Sequence, residues 1–147
     1  MSKQTTSLND LIDVLEDSRD FYRDAAGDAD HAQYKQLFER MAATKASIAG
    51  ELKTKVAALG ATPSDGSVGG SLRKGWGEMR AKLSKNSDVE YISQLEEFED
   101  RIVHAFREAV NDSEHAEVRA IAQKYQPQVE QDHAQMRDLK HSLGRNG

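Results

Sequence analysis

The sequence predicts an all-α fold, an antiparallel four-helix bundle, and three observations carry that expectation. Apolar residues recur at spacings of three and four through four long stretches, the pattern of amphipathic helices. Only two prolines, Pro63 and Pro127, occur in 147 residues, which suits long helices because proline removes a backbone donor and crowds the preceding turn. Charged residues make up 31% and hydrophobic residues 37%, a balance expected of helices with one apolar stripe and a wide solvated face.

The first helix is predicted over about 7–26, opened by Ser7 with Asp10 three residues on as a weak capping box. Its inward set is Leu8, Leu11, Ile12, Leu15, Tyr22, Ala25 and Ala26, interrupted by Ser18 and Arg19. Gly27 is expected to end it in the left-handed conformation, and Asp28 or Asp30 to cap the next helix. That helix spans about 30–59, with Tyr34, Leu37, Phe38, Met41, Ile48, Leu52, Val56 and Leu59 inward. Lys45 falls between Met41 and Ile48 on the same stripe. Gly60 closes the helix and Pro63 prevents its resumption. The short turn between the two makes them an antiparallel hairpin.

Residues 61–70 are small, polar and flexible in composition. A short amphipathic helix follows over about 71–83, with Leu72, Trp76, Met79 and Leu83 on one face. Gly75 and Gly77 lower its propensity by about 1 kcal/mol each relative to alanine. It reads as a cross-connection anchored on the bundle by Trp76. If those four side chains are instead exposed, they form a partner-binding stripe.

The third long helix, about 88–111, is capped by Ser87 with Glu90 completing a capping box. Tyr91, Leu95, Phe98, Ile102, Phe106 and Ala109 form its stripe, and Glu99 lies on or beside it. The fourth, about 113–143, carries Val118, Ile121, Ala122, Tyr125, Val129, Met136, Leu139 and Leu143, with a kink expected near Lys124–Pro127. Residues 1–147 thus read as one domain: two hairpins joined by a long crossover with a short extra helix, the ferritin-like arrangement of a four-helix bundle.

A net charge of −5 provides no basic field to gather nucleic acid or anionic lipid. No apolar run approaches the ~18 residues of a membrane span. The start, MSKQTTSLND, lacks the apolar core of a signal peptide. With no cysteine there is no disulfide or thiol chemistry. The expected partners are therefore protein, including self-association, with no nucleic acid and no membrane, and the expected compartment is the cytoplasm.

The segments LNDLIDVLEDSRDFYRDAA, GEL…LGATPSDGSVGGSLRKGW, EEFED and QPQVEQDHAQMRDL resemble domain of unknown function family 2383, a bacterial family of ferritin-like four-helix bundles. The likeness spans roughly Leu8–Leu139, and its most specific parts are the Gly-Ser crossover leading to Trp76 and the Glu96-x-x-Glu99-Asp100 cluster. His133 matches a histidine on the family's last helix, Glu51-Leu52 a Glu-Leu pair, and Lys45 stands where the family often has arginine. Leu72-Arg73 and Phe98 depart from the pattern, where Leu-His and glycine are usual. The resemblance implies the fold and no settled activity.

Two kinds of chemistry compete at the centre. A carboxylate buried at mid-bundle costs several kcal/mol unless a cation, a metal or a proton compensates it. One expectation is a structural buried ion pair of Glu99 with Lys45, or with Arg19. The other is a metal site drawn from Glu51, Glu99, Glu130 and His133, holding iron or another divalent metal. Dimetal bundles use a Glu from each of two helices and Glu-x-x-His from each of the others. Here the long helices supply that motif once, as Glu130 and His133, while Glu39 and Glu51 lack the histidine three residues on. Asp100 and His104, at i and i+4, read as a surface pair. His31 is followed by Ala-Gln-Tyr-Lys, which fails the His-x-x-Lys-Gly pattern of phosphotransfer bundles. No catalytic residue and no cofactor is assigned. The functional expectation is a non-enzymatic, stress-related bacterial bundle acting by protein association; the alternative is a diverged metal-binding protein or dimetal oxidoreductase.

Overall fold

The computed structural model describes residues 3–60, 62–63, 70–81, 87–112 and 116–146, and every element in them is helical. The order is α1 (Lys3–Asp28), α2 (Ala32–Ala58), α3 (Gly70–Ala81), α4 (Ser87–Asp112) and α5 (Ala116–Asn146). This is the all-α bundle that the periodicity predicts, with α3 in the long connection.

Contacts at the helix ends give the directions. Asn9 Nδ2 near the start of α1 donates to the Thr62 carbonyl just beyond α2, at 3.3 Å. Asp88 at the start of α4 meets the backbone between α1 and α2. Helices α2 and α4 therefore run parallel, and the connection carrying α3 travels the length of the bundle. Helices α1 and α5 run the opposite way.

One core cluster fills each half. Leu8, Ile12, Leu15, Leu52, Val56, Ile102, Phe106, Val118 and Val129 occupy the half where α1 begins. Tyr22, Phe38, Met41, Tyr91, Leu95, Phe98, Trp76 and Met136 occupy the other. The stripes read from spacing are these cores, with Phe21, Ile92 and Val103 buried as well. Leu59, assigned inward, is 36% exposed.

Several local expectations are corrected. α1 begins at Lys3, so Ser7 lies inside it and is not its cap. It continues through Gly27 to Asp28, and among the described residues only Gly60 is left-handed, at φ 83. Gly60 donates to the Ala57 carbonyl at 3.0 Å, which satisfies one of the last acceptors of α2. The cap of α2 is His31, and its side chain makes no capping bond. Asp88 does that work from α4: its oxygens accept from the Asp30 and His31 backbone N–H groups at 2.9 and 3.1 Å, and from His31 Nδ1 at 2.8 Å. Helix α5 passes through Pro127 as one element.

Helix α3 docks on its own bundle. Trp76 is 4% exposed and stacks on Phe21, with centroids 4.6 Å apart, while its Nε1 donates to Asp24 at 2.9 Å. Arg80 pairs with Asp28 at 2.8 Å, and the Tyr91 hydroxyl donates to the same carboxylate. Met79 is partly buried against this cluster. The partner-binding stripe is thus corrected at Trp76 and Met79, which face inward; Leu72's side chain and Leu83 lie outside the described residues.

Candidate functional site: a charged centre closed by Lys45

One polar side chain from each long helix joins a single hydrogen-bonded group at the middle of the bundle. These are Tyr22 from α1, Lys45 from α2, Glu99 from α4 and Asp132 from α5, all 4% exposed or less. Helix α1 also buries Asp13, Glu16, Asp17 and Ser18. The Lys45 ammonium lies 2.7 and 3.1 Å from the two Glu99 oxygens and 2.8 Å from Asp132 Oδ2. Two of these contacts are hydrogen bonds, with Nζ donating to Glu99 Oε2 and to Asp132 Oδ2. The Tyr22 hydroxyl donates to Glu99 Oε1 at 2.8 Å, and Gln128 Nε2 donates to Asp132 Oδ1 at 2.9 Å. Every carboxylate oxygen of the group accepts at least one hydrogen bond. Such completeness is what a buried polar network requires, because an unmade bond there carries the full desolvation penalty.

The electrostatics follow from burial and proximity. Burial alone would lower the Lys45 pKa, but Glu99 and Asp132 outweigh it and hold the value above that of an ordinary lysine. Burial pushes Glu99 up, and the lowering by Lys45 and Tyr22 does not fully offset it. Burial and the adjacent Glu99 carboxylate push the Tyr22 phenol well above its ordinary value. The centre therefore holds a charged ammonium and a neutral phenol through the neutral pH range.

Arg19, the other cation considered for Glu99, lies elsewhere: it pairs with Glu16 and Asp20, both at 2.9 Å. The four residues considered as metal ligands do not converge. Glu51 is 52% exposed and lies 3.6 Å from Lys124. Glu130 is held by Arg107 at 2.6 and 2.8 Å, which keeps its carboxyl below the usual range. His133 Nε2 points to Asp100 and Glu96 at 3.5 and 3.9 Å, on the outer seam of α4 and α5. Only Glu99 faces the interior. The reason is angular: Glu130 and His133, three residues apart, share the side of α5 that meets α4, where Arg107, Asp100 and Glu96 face them, and Asp132, about 100° from His133, takes the inward direction. Among the described residues no three His, Asp or Glu side chains form a group able to hold a metal. A metal in the ferritin-like manner also does not fit the central residues, because Lys45 places a fixed positive charge where their oxygens converge.

Sequence reasoning missed Asp132 and the site role of Tyr22. Asp132 had a signal: Val129, Asp132, Met136 and Leu139 step by three, four and three, so it sits in the only gap of that stretch of stripe.

A four-helix bundle with a closed, charged centre places the protein among interior-polar helical bundles. The family described as Domain of unknown function (DUF2383) matches residues 3–112, and the chain belongs to it. The match covers α1 through α4; the α5 segment around His133 lies beyond it. A crystal structure of a conserved hypothetical protein from Mycobacterium tuberculosis is similar, with a TM-score of 0.72 over 95% of this chain and 99% of that chain, at 13% identity. At that identity the likeness shows the fold alone. No curated protein matches the sequence.

Proposed function

We propose that this protein is a non-enzymatic, ferritin-like bundle that acts by association with a second copy of itself. The observation that supports the non-enzymatic reading is the Lys45 ammonium seated among the inward carboxylates. Those carboxylates are committed to a cation that cannot leave, and they are sealed from solvent. The single long crossover and the helix directions support the ferritin-like description. On this reading the charged centre specifies which helix faces meet, because a shifted register would bury one of its charges alone. No cofactor is assigned. Elemental analysis of protein from iron-, zinc- and manganese-supplemented cells is expected to find no stoichiometric metal; metal that disappears in Glu99→Gln would overturn the reading.

The associating face is the groove of about 520 Å³ between α2 and α5, floored by Leu37 and Leu139. Arg40 on α2 and Asp138 on α5 both line it, and Asp138 lies 3.4 Å from its own neighbour Arg137. A second copy related by a two-fold axis brings each Arg40 to the other copy's Asp138, the self-complementarity that a closed dimer needs. Arg40→Glu and Asp138→Arg should each lower the sedimenting mass, and the double reversal should restore it. A wild-type chain that sediments as a monomer at every concentration rejects this interface. A bacterial cytoplasmic setting and engagement under stress belong to the same proposal, and immunoblots of fractionated cells before and after challenge check both.

A further inference from the structure

Three oxygens of Glu99 and Asp132, contributed by α4 and α5, surround one point at 2.7–3.1 Å. The Tyr22 hydroxyl from α1 stands one hydrogen bond behind them. The cation at that point is the tip of the chain's own side chain, delivered from α2 and fully buried. Its charge is an incomplete match: one ammonium faces two carboxylates, so the ionised centre carries an excess of one negative charge. A divalent ion would leave none. The atoms around the point are carboxylate oxygens, with no nitrogen or sulfur ligand, since His133 turns to the α4 seam. That chemistry suits hard divalent ions that prefer carboxylate oxygen and tolerate water in the remaining positions.

We infer that the centre of this bundle is a cation site whose cation is the Lys45 ammonium, so that truncating this one side chain opens a site for a divalent, oxygen-seeking ion. Removal of the stem empties the space it fills between the helices, and water entering there completes the ion's shell. The two carboxylates, left without a countercharge, supply the drive for uptake. The inference rests on the reading of Lys45 as the group that closes the wild-type centre.

The test compares full-length wild type, Lys45→Ala and Lys45→Met, with Mn²⁺ as the probe. The paramagnetic resonance signal of aqueous Mn²⁺ reports free ion, and the urea midpoint is followed in parallel. Lys45→Met refills the stem volume with an uncharged side chain and leaves no room for the ion. Lys45→Ala is expected to deplete the free signal stoichiometrically and to gain stability as Mn²⁺ is added. Wild type and Lys45→Met are expected to do neither, and Glu99→Gln added to Lys45→Ala is expected to abolish uptake. If Lys45→Ala is unfolded without ion, it is diluted from urea into graded Mn²⁺; recovery of helix only with Mn²⁺ supports the inference, and no recovery overturns it. Folded Lys45→Ala that takes up no Mn²⁺, or uptake that survives Glu99→Gln, also overturns it and leaves the non-enzymatic reading of wild type intact. Stoichiometric uptake by wild type would sink both.

Discussion

Replacing Lys45 by methionine keeps the apolar stem of the side chain and removes its charged tip. Glu99 and Asp132 then remain at 0% and 4% exposure, with only the Tyr22 hydroxyl and the Gln128 amide as donors. Breaking a buried ion pair from one side in this way costs about 3–5 kcal/mol, because the orphaned charge stays desolvated. For a chain of this length ~1 kcal/mol moves Tm by about 2–4 °C, so Tm should fall by about 6–20 °C. The deficit should depend on pH with a defined sign. Burial already pushes the Glu99 carboxyl above its ordinary value, and the variant removes the ammonium that lowers it. The folded state then binds more protons than the unfolded one, so stability recovers as pH falls and is lost as pH rises through the raised value. Substituting Glu99 and Asp132 by leucine and Tyr22 by phenylalanine as well should return most of the loss, since that leaves no buried hydroxyl orphaned and an apolar replacement of a whole buried ion group is near neutral or stabilising. Urea unfolding followed by helix signal from pH 4 to 8 measures all three effects. A Lys45→Met deficit below ~0.5 kcal/mol, or one that does not change with pH, would mean that Lys45 does not compensate these buried carboxylates.

Three further outcomes are expected. Lys45 and Tyr22 both have folded pKa values raised above their ordinary 10.5 and 10.0; their stabilisation is present below those values and is lost as pH rises through the folded ones. Wild type should therefore lose helix on an alkaline limb, with the Tyr22 phenolate absorbance appearing only as helix is lost. Burial and the bond to Asp28 raise Tyr91 to about 12, so its absorbance should also come late. Asp88→Ala removes a carboxylate that accepts from two backbone N–H groups, and should destabilise by about 1–2 kcal/mol in urea titrations. His31→Ala should do less, because those two backbone bonds remain. Trp76→Ala empties the pocket beside Phe21 and should cost about 3–5 kcal/mol. The chain's single tryptophan makes Trp76 fluorescence a direct report on α3, blue-shifted in the native protein and red-shifted on undocking.

The pairing of Lys45 with Glu99 was legible because each charge interrupts an apolar stripe near mid-helix, and such charges must find each other or a substitute. Tyr22 was legible only as apolar bulk, since its hydroxyl gains meaning from what lies opposite on α4. Asp132 was hidden by its neighbour: the histidine at 133 suggests chemistry, yet the helical angle gives the interior to the aspartate one position earlier. Caps made within one helix can be read from spacing. Asp88 acts across 57 and 58 positions, and no local pattern encodes that. The helix end expected at Gly27 failed for a related reason. Its propensity is a weak local preference, and continued packing of Ala25 and Ala26 carries α1 two residues past the expected end at Ala26, to Asp28.

On the proposed reading a charged ammonium, and not a metal or a shared proton, holds the middle of this bundle. Nitrogen-15 spectra of the lysine side chains test it most directly. Lys45 is expected as a distinct, slowly exchanging –NH₃⁺ resonance that keeps its protonation to higher pH than the other lysines and vanishes in Lys45→Met. A Lys45 resonance with the exchange rate of a solvated lysine, or with the shift of a neutral amine in the folded protein near pH 7, would mean that no buried ammonium holds the centre.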